Sequence, residues 1–112
     1  MDNITWNDFE KVEMRVGTIL VAEIFKEARN PAYKLQIDFG EDIGIKKSSA
    51  QVTKLYTAEE LMGKQIIAVV NFPVKQIANF FSECLVLGVV GEEKEITLLQ
   101  PGLKVKNGLR IG

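Results

Sequence analysis

The 112-residue chain contains no histidine and one cysteine, and it carries almost no net charge. Without histidine there is no Ser-His-Asp triad, no Cys-His pair and no imidazole metal ligand. A lone Cys84 can form neither an internal disulfide nor a four-cysteine zinc site. Fourteen Lys and Arg stand against fifteen Asp and Glu, a formal charge of −1. That balance excludes a generally basic protein that coats nucleic acid, so any RNA contact needs a local patch of cations. Long apolar runs are also missing. Ile66–Val70 and Leu85–Val90 are the longest, far short of the ~20 residues that a spanning helix requires. The opening Met1-Asp2-Asn3 is acidic where a signal peptide is basic. The expectation is a soluble, cytoplasmic protein with no membrane insertion, no metal and no cofactor.

What is present suits one globular domain over residues 1–112. Hydrophobic residues make up 46% and charged residues 26%, which argues against disorder. Thr5 followed by Asp8 reads as a helix start, with a short helix over Trp6–Val12. Met14–Phe25 is rich in Val, Ile and Leu and too long for a simple strand, so Gly17 is expected at a bulge or bend. Tyr33, Leu35, Ile37 and Phe39 alternate with Lys34, Gln36 and Asp38, a strand with one buried face. After Gly40-Glu41-Asp42, Ile43–Ser48 returns as a third strand. Thr57-Ala58-Glu59-Glu60 is a capping box, and the Gln51–Met62 insert is expected to be helical. Ile66–Val70 and Leu85–Val90 read as buried strands, with Phe72–Ser82 irregular between them. Ile96–Leu99 is a last short strand before Pro101-Gly102. The pattern predicts an all-β protein with short helices: a five-stranded OB-fold barrel with a helical insert between strands three and four. An SH3-like barrel and a small sandwich compete with it.

Three separated blocks carry a family resemblance. Met14-Arg15-Val16-Gly17-Thr18-Ile19, Asn30-Pro31-Ala32-Tyr33-Lys34-Leu35 and Val70-Asn71-Phe72 resemble the tRNA-binding domain family of OB-fold modules. Lys46-Lys47-Ser48-Ser49-Ala50-Gln51, the Val69–Pro73 segment, Ser82–Gly88 and the final Asn107–Gly112 are similar to its stand-alone branch, the CsaA export-related chaperones. The resemblance implies a two-fold homodimer without enzymatic activity. It implies tRNA as one partner, recognised by shape, and unfolded or precursor polypeptides as another. Two departures fit the chaperone branch. Ser49-Ala50 stands where the wider family tends to have Ser-Gly, and Ser82-Glu83-Cys84-Leu85 where it tends to have Ser-x-Gly-Met. Asn71 and Ser82 keep the pattern.

Candidate sites follow from weighing residues against that frame. Arg15, Lys34, Lys46, Lys47, Lys54 and Lys75, with Ser49, form the candidate RNA face, although any one exposed Lys is ordinarily just solvated surface. Tyr33 and Phe39 alternate into the core, so they offer no stacking platform, and backbone and shape recognition is expected instead. Phe72, Pro73, Val74, Ile77, Phe80 and Phe81 crowd one loop, which is unusual because loops run over the surface. Some of them should plug the barrel. The remainder, with Asn71 and Ser82, should line a peptide groove or a subunit contact. Cys84 reads as a small core residue. Glu59 and Glu60 are explained by the capping box. Gly88-Val89-Val90-Gly91 lacks the Lys and Ser/Thr of a phosphate loop. No constellation supports catalysis, and the functional readings are a chaperone, a tRNA binder or a plain assembly module.

Overall fold

In the computed structural model, which describes all 112 residues, the first helix α1 spans Trp6–Glu10. Thr5 caps it: its hydroxyl accepts from the Asp8 amide (3.1 Å) while the Asp8 carboxylate accepts from the Thr5 amide (3.0 Å). The helix stops two residues before the expected Val12, and none of its residues is buried.

Strand β1 runs over Met14–Ile24 and serves two neighbours. Met14–Thr18 pairs with β4 (Gln65–Val69), and Thr18–Ile24 pairs with β2 (Tyr33–Asp38), both antiparallel. The register shifts between Ile19 and Val21, so the irregularity falls at Leu20 and not at the expected Gly17. Gly17 has another task. A Cβ there would lie 2.6 Å from Ile37 Cγ2 and 2.7 Å from Phe39 Cε1. Its missing side chain lets Phe39, 1% exposed, close the core against β1.

Strand β3 covers Ile45–Ala50, starting two residues later than expected. The Gly40–Gly44 turn uses Ile43: the Gly44 amide bonds the Gly40 carbonyl (2.7 Å), and the Phe39 amide bonds the Gly44 carbonyl. The insert is helical only at α2 (Ala58–Leu61), with a turn over 53–55 before it. Its capping box forms as expected, and Leu61 is fully buried.

The segment expected to be irregular instead holds a hairpin, β5 (Lys75–Ile77) with β6 (Phe80–Ser82). The apolar run after it splits into β7 (Leu85–Val86), which pairs with β4, and β8 (Gly88–Val90), which pairs with β9 (Ile96–Leu98). The expectation of a buried strand fails for this run: Leu85, Val89 and Val90 are 47%, 57% and 68% exposed.

The main sheet has the order β3-β2-β1-β4-β7. Its two edges meet where the Glu83 amide donates to the Lys47 carbonyl (2.8 Å) and the Ser48 hydroxyl donates to the Cys84 carbonyl (2.9 Å). The result is a nearly closed five-stranded antiparallel barrel, the OB-fold architecture. Ile19, Leu35, Ile37, Phe39, Leu61 and Ile66 fill it. Ser48 is the one buried polar residue, satisfied by that hydrogen bond.

Residues 108–111 lie along β1 on the edge opposite β4. Val16 exchanges both backbone bonds with this segment, accepting from Gly108 and donating to Leu109, and Ile111 donates to Met14. Gly108 has φ of +92°, and a Cβ there would collide with the Phe39 carbonyl. Asn107 anchors the approach: its side-chain oxygen accepts from Thr18 (2.8 Å) and Gln65 (3.0 Å).

Candidate functional site

A groove of about 680 Å³ opens between the end of β3, the β5–β6 hairpin and β7–β8. Its wall is mostly apolar and includes Phe72, Pro73, Ile77, Leu85, Val90 and Ile96. Lys75 is the only charged side chain among the lining residues, which include no carboxylate. Polar groups are few: Ser82 is one, and its hydroxyl accepts from the Ser49 amide (3.1 Å). Phe72 is 55% exposed, so this is an open surface and not a filled barrel end.

Of the seven expected groove residues, four meet here: Phe72, Pro73, Ile77 and Ser82. Asn71 does not. Its side chain donates to the Lys11 carbonyl (2.7 Å) and accepts from the Glu13 amide (3.1 Å), fastening the link between α1 and β1. The hairpin register separates the other two. Lys75 pairs with Ser82 and Ile77 with Phe80 on one face, while Gln76 pairs with Phe81 on the other. Phe81 therefore turns away from the groove. Phe80, nearer the hairpin turn, packs edge-on against Phe25 with ring centroids 5.3 Å apart.

Leu85, Val90 and Ile96 are groove residues that sequence reasoning missed. The signal was available. An antiparallel strand with one wet face alternates, whereas Leu85–Val90 is apolar at successive positions. Such a run needs cover on both sides, and one side here is open to solvent.

The candidate RNA residues divide. On the outer face of β1–β2–β3, the register aligns Glu23 with Lys34 and Lys34 with Ser49, then Val21 with Gln36 and Gln36 with Lys47. Lys34 sits 3.7 Å from Glu23, and its ammonium lies 5.5 Å from the Phe25 ring centre and 6.0 Å from that of Phe80. The Lys47 ammonium lies 5.4 Å from the Phe80 ring and belongs to no ion pair.

Lys46 is on the opposite side of β3, sharing a face with buried Ser48 and Ala50. Lys46 and Lys47 thus do not form one patch. Lys75 belongs to the groove. Lys54 donates to the Glu93 carbonyl (2.6 Å). Arg15 is committed to architecture: it pairs with Glu13 (2.7 Å) and donates to the Gly108 carbonyl (3.0 Å). Glu13 also meets Arg110 (3.5 Å). The Arg15 hydrogen bond, aided by the charge of Arg110, holds the Glu13 carboxyl below its ordinary pKa against a smaller opposing effect of burial.

Cys84 is 6% exposed. Burial pushes its thiol up to about 11, outweighing the Ser48 hydrogen bond and the Lys46 charge. At neutral pH it is a protonated core thiol, as expected. No group of three His, Cys, Asp or Glu side chains is placed to hold a metal ion. No helix is long and apolar enough to cross a membrane.

The sequence and the barrel place the chain in a known family. The family model described as "Putative tRNA binding domain" matches residues 14–110, and the chain belongs to that family. Within it the chain is of the CsaA type. Chaperone CsaA from Bacillus anthracis str. Ames is 51% identical, with a TM-score of 0.94, covering 99% of this chain and 100% of that one. The CsaA chaperone protein from Picrophilus torridus is 54% identical with a TM-score of 0.92, covering 98% and 100%. A curated relative, the methionine–tRNA ligase of Chlorobium phaeobacteroides, is 33% identical over 108 residues, 96% of this chain. The chain spans 15% of that ligase's length.

Proposed function

We propose that this chain is a non-enzymatic, homodimeric cytoplasmic chaperone that holds segments of unfolded or precursor polypeptides before export. The observation that carries the reading is the exposed apolar groove between the hairpin and β7–β8. Burial of apolar side chains there needs no particular sequence, which suits varied clients. Likeness to two CsaA chaperones over the whole chain supports it. Dimerisation is supported by α1, which buries none of its residues and leaves Trp6 70% exposed, and by Leu109, 49% exposed beside β1.

The test is binding of a carboxymethylated, permanently unfolded polypeptide across a salt series, with mass by light scattering at micromolar concentration. Affinity should stay flat or rise with salt, because salting-out ions strengthen apolar burial. Phe72→Ala should weaken binding about tenfold, worth ~1.4 kcal/mol, with little loss of stability. A well-folded monomer, or a Phe72→Ala protein that loses several kcal/mol of stability yet binds normally, would sink the reading.

A second reading, tRNA binding through the outer face of β1–β3, is favoured by Lys47, a cation without a carboxylate partner beside Lys34. Family membership supports it. Replacing one phosphate-contacting Lys lowers the salt slope of binding by about one unit. Lys47→Glu should do so, whereas Lys46→Glu, on the other side of the strand, should not.

A further inference from the structure

We propose that a client segment is held in the groove as an added β-strand, its backbone paired to the open edge formed by Val86, Gly88 and Val90. The inference rests on the chaperone reading of the groove and names the form in which the polypeptide is taken: extended, with its own amides engaged.

Backbone hydrogen bonds leave this run on one side only. The Leu87 amide donates to the Ile67 carbonyl in β4 (2.9 Å), and the Leu87 carbonyl accepts from the Leu99 amide just after β9 (3.1 Å). The Gly91 amide donates to the Glu95 carbonyl (2.7 Å). Antiparallel neighbours exchange bonds at alternate residues. The register, Leu85 with Val69 and Val89 with Thr97, therefore puts the bonding groups of residues 85, 87, 89 and 91 on the side of β4 and β9. The amides and carbonyls of Val86, Gly88 and Val90 project from the other edge. β7 has no strand neighbour besides β4, and β8 has none besides β9, so nothing in the fold pairs with that edge. All three residues line the groove. At Cys84 the same edge is still closed on β3, where the Cys84 carbonyl accepts from the Ser48 hydroxyl (2.9 Å). Beyond Cys84 the two edges part, and the gap between them is the groove.

The edge carries none of the devices that keep edges from pairing: residues 85–90 include no charged residue and no proline. Its chemistry says what matches it. Donors and acceptors repeating at every second residue are met by another extended backbone. A helix spends its amides internally and offers no such row. The apolar wall of Phe72, Pro73 and Ile77 takes client side chains beside the paired backbone. Because the backbone is common to all polypeptides, pairing holds clients of varied sequence. It refuses segments that are already helical and those with proline at the paired positions. Five residues of strand span ~13 Å, so a short unfolded stretch suffices. The edge is recessed behind the β5–β6 hairpin, which suits a loose chain better than the flank of a second barrel.

The test uses anisotropy with a labelled decapeptide alternating Val and Ser, and two forms of it N-methylated at every Val or at every Ser. Alternation ties the side-chain face to the amide direction, so one set of amides meets the edge and the other points away. One methylated form should bind about tenfold weaker than the parent peptide, and the other should bind like the parent. Val90→Pro removes a donor that lies outside the β8–β9 ladder, a position where proline is tolerated, and should weaken parent binding beyond Val90→Ala. Hydrogen exchange gives an independent readout. The Val86, Gly88 and Val90 amides should exchange fast in the free protein and slow with peptide bound. If both methylated forms bind like the parent while Phe72→Ala still weakens binding, pairing is refuted and the groove reading stands. Equal losses for the two forms, or Val90→Pro no weaker than Val90→Ala, also refute it. Protection of the three amides in the free protein, lost on dilution, would overturn it by assigning the edge to a second copy. Binding of the carboxymethylated polypeptide but not of the decapeptide refutes pairing too. If neither binds, the groove reading and the inference fall together.

Discussion

Two apolar runs of nearly the same composition meet opposite fates. In β4, Ile66, Ala68 and Val69 are 0%, 0% and 5% exposed. In β7–β8, Leu85, Val89 and Val90 are about half exposed or more. Position in the sheet separates them. β4 lies between β1 and β7, over the filled barrel, whereas the second run leaves the sheet at Leu87 and borders the groove. The lesson is that an apolar run states that cover is needed. It does not state that the chain itself supplies the cover.

The strongest way to break this contrast is to shorten a side chain in each run. Ile66→Ala empties a sealed site and should cost ~2–5 kcal/mol. Val90→Ala removes atoms that already face water and should stay within about 0.5 kcal/mol, while weakening client binding. Urea unfolding of the two variants measures the difference. Equal losses would place the β8 run in the core.

Adding a carbon probes the same boundary with a smaller effect. Gly17→Ala forces a methyl against Ile37 and Phe39, and overpacking of this kind costs ~1–3 kcal/mol. Gly102→Ala meets open space and should be near neutral. Thermal denaturation would distinguish them, and a stable Gly17→Ala protein would show that the core beside β1 yields.

The smallest expected effect concerns the rim, where Glu13 joins Arg15 and Arg110. Because folding lowers the pKa of Glu13, its stabilising contribution is present above the ordinary carboxylate range and is lost as pH falls through the folded value. The stability gap between the parent protein and Glu13→Gln should be constant from about pH 6 upward and close below about pH 4. Acid titration of both proteins by circular dichroism checks this. A gap that persists in acid would mean that Glu13 acts through packing and not through charge.

Much of the barrel was legible because its signals are local. Thr5 with Asp8, read as a helix start, and Thr57 with Glu60, read as a capping box, announce both helices, and each pair closes a capping box. The alternation of Tyr33, Leu35 and Ile37 fixes β2 and its buried face. The β5–β6 hairpin was hidden by its turn. Ala78 adopts φ of +52°, where Gly or Asn is the usual signal. The Gln76 side chain, donating to the Ala78 carbonyl (3.0 Å), braces a turn that the sequence does not advertise. Without the hairpin there was no register, and Phe80 and Phe81 could not be assigned to opposite faces. Asn71 and Arg15 have architectural bonds that the sequence did not announce, for a related reason. Both are polar residues in family blocks, and both bond segments distant in sequence: Asn71 bonds Lys11 and Glu13, and Arg15 bonds Gly108 as well as nearby Glu13. Only tertiary contact reveals that use.

The pairing of β1 with residues 108–111 bears on how the protein is made. During synthesis, Met14–Thr18 leaves the ribosome first, and β4 follows about fifty residues later to cover one edge. The other edge waits until Gly108–Ile111 emerge. At the ~5–20 residues per second of translation, that edge stands open for seconds, with Val16 offering an unpaired amide and carbonyl. An open edge strand is a template for a neighbouring chain. Nascent copies on one message are thereby at risk of pairing with each other, and a delay in translating the stretch between β4 and Gly108 would lengthen the exposure.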